Sequence, residues 1–118
     1  MILYLETSNL IKIYVKETYS EDIKKSIADT DVVATSIVSY AEARAAFARK
    51  FREKGLSTRN YEIVKKDLDR DWDSLFVLNL TGALVRIAGN LAERHSLKAY
   101  DAIHLASALE LKKNVDSP

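Results

Sequence analysis

The sequence predicts an α/β fold built on a parallel sheet. Three short apolar runs (Ile2 to Leu5, Asp31 to Thr35 and Leu75 to Leu78) alternate with stretches long enough to form helices. Strands separated by helices pair in parallel, because each return crosses over one face of the sheet. The run Ile2-Leu3-Tyr4-Leu5 has no charged interruption, as expected of a strand covered on both faces. The chain also has only one proline and three glycines. That suits long helices with short connections better than an all-β chain, which needs many turn residues.

The elements follow in order. After the first strand, Thr7, Ser8 and Asn9 are good N-cap types, and Leu10, Ile11, Ile13, Tyr14 and Val15 supply an apolar helical stripe. Ser20 with Glu21 and Asp22 opens a second helix, acids being favoured near the positive end of the helix dipole. Asp31 to Thr35 is the second strand. Ser36 or Ser39 then caps a long helix to about Lys54, with Gly55 as a natural stop. Ser57 opens a helix through about Trp72, and Leu75 to Leu78 is the third strand. Thr81 caps a helix to about His95, weakened at Gly82 and Gly89. A last helix covers about Ala99 to Lys113.

At 118 residues the chain is expected to form one domain, residues 1–118, burying roughly two thirds of its unfolded surface. No disulfide is possible without cysteine. No apolar run approaches the roughly 20 residues that span a bilayer, and no signal peptide precedes the first strand. No membrane partner and a cytoplasmic location are therefore expected. The formal charge of +1 favours neither an acidic nor a basic partner.

Three carboxylates mark the functional region. Glu6 lies just past the first strand, Glu42 near the start of the long middle helix, and Asp101 near the start of the last one. In open parallel sheets, ligands bind beyond the C-terminal strand ends, where Glu6 lies. Acids that converge there must share a cation, since unpaired carboxylates are too costly to desolvate together. A divalent metal site is the economical reading. Hard cations such as Mg²⁺ or Mn²⁺ prefer oxygen ligands, and Mg²⁺ keeps several of its waters.

The words Leu3-Tyr4-Leu5-Glu6-Thr7-Ser8-Asn9-Leu10-Ile11-Lys12, Ser36-Ile37-Val38-Ser39-Tyr40-Ala41-Glu42 and Leu97-Lys98-Ala99-Tyr100-Asp101-Ala102-Ile103-His104-Leu105-Ala106-Ser107-Ala108 resemble the PIN-domain ribonucleases. They are most similar to the VapC toxins of toxin–antitoxin pairs. The resemblance runs from Ile2 to about Leu111. It implies a three-layer α/β/α domain, an endoribonuclease that uses Mg²⁺ or Mn²⁺, and neutralisation by a cognate antitoxin. It also implies Glu6, Glu42 and Asp101 as metal ligands and catalytic acids, with Thr7 and Ser8 in support. The chain departs from the pattern twice. The first acid is Glu6 where the family has aspartate. The family's last strand, with its fourth acid, is missing, and Asp116 follows too closely on the preceding helix to replace it. An exposed sheet edge would remain there, and a homodimer is expected on that ground.

Several features have plainer explanations. His104 lies one turn beyond Asp101 and reads as a packed, hydrogen-bonded histidine rather than a ligand. Asp67 to Asp73 imitates a calcium loop but has Trp72 where glycine is needed, so it reads as a solvated helix end. Between Arg44 and Arg59, six basic residues face one acid, Glu53. A phosphate-backbone binder needs such an excess, and Arg49, Lys50 and Arg52 are the RNA-binding candidates. Arg49 is two turns from Glu42 on one helix face, whereas Arg44 points elsewhere. Two alternatives remain open: an interaction module with little or no catalysis, and an RNA-processing nuclease outside a toxin pair.

Overall fold

The computed structural model describes residues 1–116. Three strands, β1 (Ile2–Tyr4), β2 (Val32–Ser36) and β3 (Phe76–Leu78), form a parallel sheet in the order β1-β2-β3. Leu3 is paired with Val33, and Thr35 with Val77. Six helices complete the fold: α1 (Thr7–Ile11), α2 (Ser20–Ala28), α3 (Val38–Arg52), α4 (Thr58–Trp72), α5 (Gly82–His95) and α6 (Ala99–Asp116). The α/β class and the parallel pairing are those the sequence predicted.

The alternation of side chains along β1 separates the layers. Leu3 and Leu5 pack into a core with Leu10, Ile11, Ala43, Phe47, Val64 and Leu68, drawn from α1, α3 and α4. Tyr4 between them turns the other way and reaches α6. On that second side Leu84 and Ala88 of α5 pack against Ala102 and Ala106 of α6. The small residues let the two helices approach closely. α6 also lies against β2, so the sheet is covered on both faces. Among the described residues β1 is an edge strand, and no fourth strand pairs with it.

Serine and threonine caps stand where expected for two helices. Ser57 accepts from the Asn60 amide at 3.0 Å, and Thr81 from the Leu84 amide at 3.1 Å. Elsewhere the local detail differs. α1 is capped by Glu6 rather than Thr7, Ser8 or Asn9, and it stops at Ile11. Ile13 and Tyr14 then close tighter turns, donating to the carbonyls of Leu10 and Ile11. The β-branched Ile11, Ile13 and Val15 disfavour a regular helix but still pack on the core. Neither Ser36 nor Ser39 occupies the N-cap of α3, which is Ile37; Ser39 is inside the helix and serves a buried network described below. At the other end of α3, Lys54 takes the left-handed conformation (φ 62°) expected of Gly55. Gly55 instead sits in a tight approach to the helix end. Its amide bonds to the Lys50 carbonyl at 2.7 Å, and a Cβ there would lie 3.3 Å from that oxygen. α6 runs to Asp116, a turn beyond the expected end.

Candidate functional site

The C-terminal ends of β1 and β2 bring α1 and α3 to one place, where the start of α6 joins them. β1 ends at Tyr4 and the chain turns at once into α1, whose N-cap is Glu6. The Glu6 carboxylate accepts from the Asn9 amide at 2.9 Å and from the Ser8 hydroxyl. It is thus held by its own helix end, where the dipole favours an anion. β2 ends at Ser36 and leads into α3, which carries Ser39 and Glu42. Asp101 lies exposed in the first turn of α6, with His104 one turn later.

Glu6 and Asp101 face one pocket of about 320 Å³, lined also by Tyr4, His104, Leu105 and Ala108. Glu42 adjoins that pocket through its hydrogen bonds. Its Oε1 accepts from the Thr7 hydroxyl at 2.5 Å and from His104 Nε2 at 2.9 Å. On its other side, Glu42 lines a groove of about 400 Å³ with Ala45, Ala46, Arg49 and Arg52. Among the described residues, no three His, Cys, Asp or Glu side chains are close enough together to hold a metal ion. The structure therefore brings Glu6 and Asp101 into a shared pocket and places Glu42 beside it, behind Thr7 and His104.

The donor chemistry nevertheless fits a hydrated divalent cation. Mg²⁺ is commonly held by one or two carboxylates and keeps waters in its remaining positions. Glu6 and Asp101 offer that many, and both are oxygen donors. Both protein bonds to Glu42 fall on Oε1, and Oε2 is the atom with capacity for an ion or its water.

Beneath the carboxylates runs a buried chain of hydroxyls. Thr35, fully buried, donates to the Leu5 carbonyl at 2.7 Å and lies 2.7 Å from the Ser39 hydroxyl. The Thr7 and Ser39 oxygens are 3.3 Å apart. A single hydroxyl proton cannot serve two acceptors well, so Thr7 gives its proton to the closer and charged Glu42. On the opposite side, the Tyr4 hydroxyl is 2.8 Å from His104 Nδ1. Burial pushes the Tyr4 phenol up to about 12, with the Ser107 hydroxyl opposing and the charges of Glu42 and Glu6 adding to the rise.

The basic candidates divide. Arg49 and Arg52 are exposed and share the groove with Glu42, whereas Lys50 is ion-paired to Glu17 at 3.0 Å. Arg44 turns away, donating to the Tyr40 hydroxyl at 2.9 Å. His95 is exposed, and Asp67 and Asp71 at the end of α4 pair with Arg70. Sequence reasoning did not single out Tyr4, Thr35 or Ser39 as parts of the site. A phenol inside an otherwise aliphatic strand, and a serine one helical turn before Glu42, were the available signals.

This fold is that of a PIN domain, which the chain matches over residues 3–115. The protein belongs to the PIN-domain family. It is 32% identical over 108 residues to "Ribonuclease VapC45" of Mycobacterium tuberculosis (strain CDC 1551 / Oshkosh) and equally to "Ribonuclease VapC49" of strain ATCC 25618 / H37Rv. Each match covers 92% of this chain and 75% of the relative. Among solved structures it is similar to a toxin–antitoxin complex from Klebsiella pneumoniae (TM-score 0.70, 17% identity, 93% of this chain and 80% of that one). It is also similar to VapBC2 from Rickettsia felis bound to a promoter DNA fragment (TM-score 0.63, 18% identity, 92% and 80%).

Proposed function

We propose that the protein is a VapC-type toxin, an endoribonuclease dependent on Mg²⁺ or Mn²⁺ and neutralised by a cognate antitoxin. One observation carries the reading: Glu6 and Asp101, from opposite ends of the sequence, face one pocket at the strand ends, with Glu42 one hydrogen bond away from its wall. The 32% identity to ribonucleases of that type supports the activity. The likeness to a toxin–antitoxin complex supports the partner.

In this reading Glu6 and Asp101 would hold the ion directly, and Glu42 would reach it through Oε2 and a water of its hydration shell. Bound there, it supplies a water of lowered pKa for attack on a phosphodiester and offsets charge on the phosphate oxygens. The chain's own residues do the rest. Ser8 and the Asn9 amide fix Glu6, and Thr7 and His104 fix Glu42. Arg49 and Arg52 flank the acid-lined groove and contact the RNA backbone, since a guanidinium meets a phosphate in two parallel hydrogen bonds. Lys50 contributes less, because Glu17 already neutralises it. Among the described residues no helix is long and apolar enough to cross a membrane, in keeping with a cytoplasmic toxin. The outer edge of β1 borders an apolar groove lined by Met1, Ile2, Leu111 and Val115, and this is the face offered for a homodimer. Light scattering that shows only monomer at high concentration would reject the dimer.

The activity is tested by incubating the protein with structured RNA and Mn²⁺ beside the Asp101→Asn and Glu42→Ala variants. Cleavage by the wild type and its loss in both variants is expected. Equal cleavage by all three proteins would remove the assigned roles.

A further inference from the structure

We propose that Tyr4 and His104 form a positioning pair that holds Glu42 in one orientation and fixes its place relative to Asp101. The inference deepens the nuclease reading and rests on it for its catalytic consequence. His104 is 6% exposed and is bonded at both ring nitrogens: Nδ1 to the Tyr4 hydroxyl at 2.8 Å, and Nε2 to Glu42 at 2.9 Å, with the Thr7 hydroxyl oxygen also 3.0 Å from Nε2. The Tyr4 and His104 rings meet edge to face, with centroids 6.0 Å apart. These contacts join three elements, β1, α3 and α6, across the end of the sheet.

The direction of the hydrogen bonds follows from the chemistry of the carboxylate. Glu42 can only accept, so the Nε2 that faces it carries the proton. A ring with its single proton on Nε2 accepts at Nδ1, and the Tyr4 O–H is the donor there. Glu42 Oε1 thus receives two donors, Thr7 from α1 and His104 from α6. Two donors from different elements remove the rotamer freedom that a glutamate otherwise retains. They also leave Oε2 as the oxygen turned to other partners. Because His104 follows Asp101 by one helical turn, the same bond sets α6, and with it Asp101, against α3.

The pair is neither a ligand nor a general base in this assignment. Tyr4 lines the wall of the pocket and acts through His104.

The test uses the full-length protein and reads the tautomer first. In the metal-free protein, ¹⁵N NMR should show His104 as a single Nε2–H tautomer, with exposed His95 as the internal reference for a free ring. Tyr4→Phe should relax that preference toward a mixture. Then Mn²⁺-dependent RNA cleavage is compared in His104→Gln and His104→Leu. The glutamine places an N–H near the Nε2 position and should keep most of kcat. The leucine should lose on the order of 10- to 100-fold in kcat with little change in KM, as expected for one charge-assisted hydrogen bond. An Nδ1–H tautomer in the wild type, or no rescue by glutamine where the wild type cleaves, overturns the positioning role. A wild type that cleaves no RNA ends the nuclease reading, and the tautomer and its response to Tyr4→Phe still decide the pair.

Discussion

Thr35→Val tests the buried hydroxyl chain without opening a cavity, since valine and threonine have nearly the same shape. Thr35 has one proton, which the Leu5 carbonyl takes at 2.7 Å, so the Ser39 hydroxyl must donate to Thr35 across the other 2.7 Å. Valine breaks both bonds at a fully buried position. The Leu5 carbonyl loses a donor, and Ser39 is left with Thr7, whose oxygen is 3.3 Å away and whose proton is engaged by Glu42. At about 1–2 kcal/mol for each disrupted buried bond, the loss is about 2–4 kcal/mol. An unfolding entropy of about 2.1 cal/mol/K per residue, over the 118 residues, converts this to a Tm lower by about 8–16 °C. Thr35→Ser keeps the hydroxyl and loses one methyl, worth about 1 kcal/mol or about 4 °C. Thermal melts of the three proteins at neutral pH, followed by circular dichroism, give the comparison. A valine variant as stable as the serine variant, or more so, would refute the argument that these hydroxyls are mutually committed.

Two further outcomes follow from the same structure. Burial pushes Tyr4 up to about 12 and pushes Tyr14 up as well, the latter also donating to the Asp71 carboxylate. Both phenols therefore bind their protons more tightly in the folded chain than in the unfolded one. Their contribution to stability is complete below the ordinary tyrosine value near 10 and is lost as pH rises through the folded values. In an ultraviolet titration of tyrosinate, Tyr4→Phe should remove a late component near pH 12; an unchanged curve would count against that burial effect. For RNA binding, Arg49→Ala and Arg52→Ala should each weaken affinity. Each should also lower the slope of log K against log salt by about 0.7 for every single-strand phosphate that the variant no longer neutralises. Lys50→Ala should change the slope less because of its pair with Glu17. Equal slopes for all three variants would argue against the division of the basic face.

Element order was legible in the sequence because it depends on local patterns. Short apolar runs marked β1, β2 and β3, and Ser57 and Thr81 marked their helix starts through short-range capping bonds. Failures came where a distant residue outcompeted a local preference. Ser39 looked like a cap, but its hydroxyl is taken by Thr35 of β2. Gly55 failed for a local reason: Lys54, one residue earlier, adopts the left-handed turn instead.

The acids show the same division. Their residue types, positions and family pattern were readable as spacing along the chain, and so was the shared helix face of Asp101 and His104. Which oxygens meet was not. Glu6 and Asp101 share a pocket while Glu42 stands behind Thr7 and His104, because that depends on how α3 and α6 pack around the end of the sheet. Periodicity reports which face a side chain takes on its own element. Only the packing of one element against another fixes the distance between two charges as far apart in the chain as Glu6 and Asp101.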